Sequence, residues 1–244
     1  MTIINYFKDN TELLKRLIIS EEKKFIYIKM PKVAGTSIHR HTLQKEVPDI
    51  IQFEEDTIEF NKWLNSMDDN KLKEYFIFTF VRNPWDRVVS LFCYFIIKRR
   101  EISLNKLKRH VLSTSFNKLI ILLIRRIISH YNSLIFIKKR KITFTFFVKN
   151  MINISLPQWR IKEHSFPQHL LVKCNDIVFV DFIGRYENLE NDWRIVSEKI
   201  GVSSELPHSN RTEHDEYRRY YNEETKKIIA KKYKKDIECF DYIF

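Results

Sequence analysis

Three short apolar runs, each rich in β-branched and aromatic residues, interrupt a chain whose polar and apolar positions are otherwise mixed. FIYIKM (Phe25–Met30) stops at Pro31, YFIFTFV (Tyr75–Val81) stops at Asn83-Pro84, and DIVFVDFIG spans Asp176 to Gly184. Runs of this kind predict buried strands. Helical signals follow each of them. Thr36 or Ser37 stands where an N-cap belongs, ahead of a helix ending near Lys45 before Pro48. Pro84 suits the first turn of a helix over about Trp85–Arg100. ENLENDWRIVSEKIG reads as a helix stopped by Gly201, and a lysine-rich last helix is predicted over about Glu223–Cys239. Strands alternating with helices predict an α/β fold with a central parallel sheet and helical crossovers. In such sheets ligands bind at the carboxyl ends of the strands, where the loops after Met30 and Val81 both fall.

With 244 residues, 44% of them apolar, the chain can bury a substantial core. No repeat and no Ser/Gly linker divides it, so one domain over residues 1–244 is expected. No stretch approaches the roughly 20 apolar residues of a membrane span. The N-terminus lacks the pattern of a secretory signal. Cys93, Cys174 and Cys239 are odd in number and form no C-x-x-C pair, which favours thiols in a reducing compartment over disulfides or metal ligands. Charge adds more. Between Ile97 and Lys141 stand thirteen Lys/Arg against a single acid, Glu101, while the whole chain carries +12. This segment reads as a mainly helical basic insert that concentrates an anionic partner, with a solvated helix surface as the plainer alternative.

The loop KMPKVAGTSI (Lys29–Ile38) leads from a strand to a helix start, where unpaired backbone N–H groups and the helix dipole favour an anion. Gly35 permits close backbone approach, Thr36 and Ser37 add hydroxyl donors, and Lys32 adds a full charge. The order is not that of a Walker A loop, in which lysine follows the second glycine. The plainer alternative is a strand-to-helix turn capped by Thr36. In FVRNPWDRVVSLFCYF, Arg82 ends a strand and Ser90 follows about two helical turns later, so both face the same sheet end. Arginine grips phosphate through two parallel hydrogen bonds and Ser90 adds a third. Arg82 in a salt bridge is the alternative there, as is a structural pairing of Asp86 with Arg87.

PKVAGTS (Pro31–Ser37) together with FVRNPWDRVVS (Phe80–Ser90) resembles the two sulfate-donor motifs of the carbohydrate sulfotransferases. The likeness continues in TFTFFVKN (Thr143–Asn150), EHSFPQ (Glu163–Gln168), DFIGRYENLENDW (Asp181–Trp193) and the C-terminal stretch from Leu206. It spans about Phe25 to the end, with a poorly matching gap near 97–141. The resemblance implies a P-loop-like three-layer α/β/α fold and transfer of a sulfuryl group from 3′-phosphoadenosine 5′-phosphosulfate to a carbohydrate hydroxyl, without metal. Lys32 and the backbone of Val33, Ala34, Gly35, Thr36, Ser37 and Ile38 would hold the 5′-phosphosulfate. Arg82 and Ser90 would hold the 3′-phosphate. Arg185, with Glu187, and Arg211, within Asn210–Thr212, match weaker family segments near the nucleotide, each with a structural alternative.

Relatives place a His or Glu base between the donor motifs. Here no histidine lies between His41 and His110, and Glu54, Glu55 and Glu59 sit in an acidic, surface-like run. His164 is the first choice for a base or acceptor contact. His39 and His41 point to different helix faces and make a poor metal pair. A P-loop kinase would share the strand-loop-helix physics but lacks its lysine order and a Walker B aspartate. A non-catalytic module would use the basic insert against a membrane surface, and no nucleic-acid motif accompanies it. The insert is better attached to the enzyme, attracting an anionic or lipid-linked glycan. The Ile/Lys/Asn-rich composition and the lack of an anchor point to cytoplasmic action, with peripheral membrane contact through 97–141.

Overall fold

The computed structural model describes residues 2–52, 57–94, 143–152, 164–174, 177–206 and 215–244. The expected basic insert at 97–141, Glu54, Glu55 and Arg211 lie outside the described residues. The strands are β1 (Leu17–Ser20), β2 (Phe25–Ile28), β3 (Ile50–Gln52), β4 (Phe76–Val81), β5 (Lys173–Cys174), β6 (Ile177–Val178) and β7 (Phe182–Arg185). Five of them form one sheet in the order β3-β1-β2-β4-β7, while β5 and β6 make a separate ribbon. All four residues of β2 are buried, which suits a run apolar on both faces at the middle of a sheet.

The sheet is mixed, not parallel throughout. Strands β2, β4 and β7 run parallel, but β1 is antiparallel to both β2 and β3. The reason is local: Glu21–Lys24 turns the chain directly from β1 into β2, with Lys24 in the left-handed region (φ 50°), too short for a helical crossover. The expected third strand over Asp176–Gly184 is also two elements. Asp181 separates them, donating its N–H to the Ile77 carbonyl at 2.7 Å and accepting the Ile77 N–H on its carboxylate at 2.7 Å. Pairing with β4 starts from there.

The helices are α1 (Ile3–Asp9), α2 (Thr11–Leu14), α3 (Gln44–Glu46), α4 (Thr57–Ser66), α5 (Asp69–Leu72), α6 (Pro84–Phe92), α7 (Phe144–Phe146), α8 (Leu189–Ile200), α9 (Glu223–Lys232) and α10 (Lys234–Phe240). A π-helical segment, Ser37–Leu43, leads into α3. Asn83 caps α6 by accepting the Trp85 N–H at 3.0 Å, with Pro84 in the first turn as expected. Gly201 ends α8 at φ 64°, and the Lys23 ammonium donates to the Ile200 and Gly201 carbonyls at 3.2 and 2.8 Å. The predicted last helix is broken at Tyr233 into α9 and α10.

One core covers the sheet, with Tyr27, Phe78, Phe80 and Trp193 at its centre. A second joins α6 to α7 and α9 through Val88, Val89, Phe144 and Ile229. Gly184 of β7 lies under the Phe80 ring, so closely that a Cβ there would sit 2.4 Å from Phe80 Cε1. Because β2, β4 and β7 are parallel, their carboxyl ends share one rim. Loop 29–36, Arg82 and Tyr186 leave the sheet there.

Candidate active site

The first loop folds back through two left-handed residues, Lys32 (φ 65°) and Ala34 (φ 52°), with Val33 between them outside that region. An L-residue held left-handed costs about 1–2 kcal/mol. Such strain clusters at ligand sites. Ile38 is the residue that bonds back, its N–H donating to the Ala34 carbonyl at 3.1 Å, so the amides before it lie at the open end of the helix. Gly35 is not one of the left-handed positions. Its constraint is space: a Cβ would come within 3.0 Å of Lys29 Cγ. Thr36 is helical in backbone and makes no side-chain cap bond, which corrects the expected capping role.

The second loop meets the first directly. Arg82 Nη1 donates to the Lys32 carbonyl at 3.2 Å, and Nε donates to Asp86 Oδ2 at 2.7 Å. Its guanidinium also lies 4.0 Å above the Tyr186 ring centre, just past β7. Three elements therefore fix one fork, whose side chain is 5% exposed. Asp86 pairs with Arg82, while Arg87 lies 3.8 Å from Asp236 of α10 instead of bonding Asp86. The i,i+4 spacing of Arg82 and Asp86 is the signal that finds this pair in the sequence. Ser90 is buried one turn beyond Asp86 on α6.

Beyond the end of α6, the Lys32 ammonium rests 4.1 Å from the Tyr94 ring centre, and the same ring meets His164 edge-on with centres 6.3 Å apart. Lys32 and His164 thus flank one aromatic side chain. Burial raises the Cys93 thiol, while nearby Lys32 and Arg82 act against that rise. Motif reading alone did not single out Tyr94, Tyr186 or Gln168 as partners of these groups.

Other expected residues fall elsewhere. The Arg185 guanidinium donates to the Phe240 carbonyl at 2.7 Å and faces the Tyr242 ring at 5.0 Å. Glu187 accepts the Asn83 N–H at 2.7 Å and the Tyr242 hydroxyl at 3.1 Å. That motif braces the start of α6 against the C-terminal segment. Glu59 is on the surface, paired to Lys62 at 2.8 Å. Among the described residues no group of His, Cys, Asp and Glu has metal-site geometry.

His39 lies beneath the loop, 2% exposed, its Nδ1 3.1 Å from the Lys29 ammonium. The neutral ring accepts at Nδ1 and so carries its proton on Nε2. Burial first, then Lys29 and Arg40, depress its pKa from 6.5 to about 4. The unfolded chain binds this proton near 6.5 and the folded chain only near 4, so stability is full above 6.5 and falls as pH drops through that window. The expected loss is on the order of 2–3 kcal/mol. In His39→Asn, which keeps an acceptor for Lys29 but does not protonate, chemical unfolding between neutral pH and pH about 4 will show a shallower decline. An unchanged slope would remove His39 from this role.

A family model described as "Sulfotransferase family" matches residues 15–243, which takes in every described residue of the site. The chain belongs to the sulfotransferase family. The chain is 32% identical over 132 residues to an uncharacterized protein of Archaeoglobus fulgidus, covering 54% of this chain and 72% of that one. It is 28% identical over 197 residues to carbohydrate sulfotransferase 14 of Danio rerio, covering 78% of this chain and 49% of that one. With carbohydrate sulfotransferase 11 of Mus musculus it shares 29% identity over 211 residues, 79% of this chain and 55% of that one. It therefore spans about half the length of these two carbohydrate sulfotransferases. No solved structure matches it.

Proposed function

We propose that this sulfotransferase moves the sulfuryl group of 3′-phosphoadenosine 5′-phosphosulfate to a hydroxyl of a carbohydrate acceptor. The observation that carries the reading is the 3.2 Å contact between Arg82 Nη1 and the Lys32 carbonyl, which joins the two candidate phosphate-gripping loops at one sheet rim. Family membership and the carbohydrate sulfotransferase relatives support it. The strand-loop-helix order at 25–46 and 76–92 supports a P-loop-like three-layer architecture as part of the same reading.

The donor set suits such a nucleotide: an ammonium, a guanidinium, a hydroxyl and a strained turn of backbone amides are all positive or proton-donating. Lys32 and the amides of Val33 to Ile38 would hold its phosphosulfate end, and Arg82 and Ser90 its 3′-phosphate. When bound, it supplies a sulfuryl group activated by its bond to phosphate. The Lys32 ammonium would stand where negative charge builds on the leaving phosphate oxygen. His164 would accept the proton of the acceptor hydroxyl as that oxygen bonds to sulfur and the sulfur's bond to the leaving phosphate oxygen breaks. The density of Lys and Arg in 97–141 favours an acceptor that is anionic or carried on an anionic lipid.

Incubation with radiolabelled donor and a panel of polysaccharides and oligosaccharides is expected to label at least one glycan. Failure to bind adenosine 3′,5′-bisphosphate more tightly than adenosine 5′-phosphate would overturn the donor assignment. Label passing to no carbohydrate, with donor binding intact, would overturn the acceptor class.

A further inference from the structure

Arg82 stands one residue beyond the last rung of the β4–β7 ladder, where Val81 faces Arg185. Its N–H and C=O have no strand to pair with, and buried backbone groups left in that state are costly. The side-chain amide of Gln168 supplies both partners. Oε1 accepts the Arg82 N–H at 3.0 Å and Nε2 donates to the Arg82 carbonyl at 2.9 Å. Gln168 has no exposed surface and is itself aimed from α10. The Asp236 carboxylate accepts the N–H groups of Gln168 and His169, each at 2.9 Å, and meets His169 Nδ1 as well. Asp236 is wholly buried.

A side chain that reproduces both halves of a β-pair holds the two peptide groups on either side of the Arg82 Cα, and so the φ and ψ of that residue. With that backbone it fixes the direction in which the guanidinium leaves the strand toward Lys32, Asp86 and Tyr186. We propose that Gln168, held by Asp236, is the positioning residue of the nucleotide-gripping arginine, setting the angle at which Arg82 meets the 3′-phosphate. His164 lies four residues earlier on the same segment, against Tyr94 and so beside Lys32. One short stretch of chain thus reaches both the proton-accepting side of the site and the arginine behind it. The inference rests on the donor reading proposed above.

The test is Gln168→Glu in mildly alkaline buffer, which keeps side-chain length and an acceptor oxygen but removes the N–H that meets the Arg82 carbonyl. Calorimetric dissociation constants are measured for adenosine 3′,5′-bisphosphate and adenosine 5′-phosphate with the wild type and the variant. The preference for the bisphosphate is expected to fall roughly tenfold, with affinity for the 5′-phosphate within about twofold of wild type. A general loosening of the fold would weaken both ligands alike, and a folded variant that keeps the full preference overturns the proposal. Gln168→Asn, which keeps the amide but falls one methylene short, carries the same test if the Glu variant does not fold. A wild type without any preference for the bisphosphate would instead sink the donor reading itself, and this inference with it.

Discussion

Lys32→Ala is expected to lower kcat by roughly 10² to 10³ while leaving the thermal unfolding midpoint close to that of the wild type. On the donor reading proposed above, the rate effect follows from removing a charge at the oxygen that would become negative in the transition state, a loss no neighbouring backbone amide would replace in full. The stability effect is small because the ammonium contacts a ring face, an interaction on the order of 0.5–2 kcal/mol, and the side chain is not part of either core. Alanine inherits the left-handed backbone of residue 32 (φ 65°), so the strain stays in place. Lys32→Gly separates the two properties further. Glycine accepts that backbone without penalty, which offsets its greater entropy loss on folding, so this variant is expected to be inactive and no less stable. Initial rates with labelled donor and thermal melts check both variants. Near-normal turnover in folded Lys32→Ala would take the charge-stabilising role away from Lys32.

Gly184→Ala is the substitution expected to harm folding most. The added methyl would meet the Phe80 ring at 2.4–2.5 Å, and that ring has nowhere to retreat. Phe80 is fully buried, edge-on to Phe78 at 6.4 Å and tilted against Trp193 at 6.4 Å. Overpacking of this kind costs about 1–3 kcal/mol and more where the backbone is locked in a sheet, as here between β4 and β7. Denaturant titration will show it as a lower midpoint at an unchanged slope. Shortening the clashing ring in the double variant Gly184→Ala with Phe80→Leu should recover part of the loss, because the two positions touch and their effects are not additive. If the single variant unfolds like the wild type, the ring does not occupy that position.

Both strand-loop-helix units of the site were legible from the chain, because each couples a doubly buried, β-branched or aromatic strand to a turn with its own chemistry. Asn83-Pro84 and Gly201 acted at the positions where they were read. What escaped is of two kinds. Leu17–Ser20 is a four-residue run next to a charged turn, too short for a pattern to distinguish, and it turns a parallel sheet into a mixed one. Residues such as Gln168 and Tyr186 act across long sequence separations through a pair of hydrogen bonds or one ring face, for which no local periodicity exists. Lys29 and His39 are ten residues apart, yet their contact depends on the wide π-helical turn that follows the loop. Gly35 is read from the sequence as permitting close backbone approach; in the structure a Cβ there would come within 3.0 Å of Lys29 Cγ, while the left-handed backbone of the loop belongs to Lys32 and Ala34.

Ribosomal synthesis delivers a protein from its N-terminus, and the brace behind Arg82 comes from Gln168 and, through it, from Asp236 on the last helix. Both loops leave the exit tunnel well over a hundred residues' worth of translation before that helix does. A nascent chain can therefore fold its central strands early and still be unable to orient the arginine. On the proposed donor reading, nucleotide capture would wait until synthesis has reached Asp236.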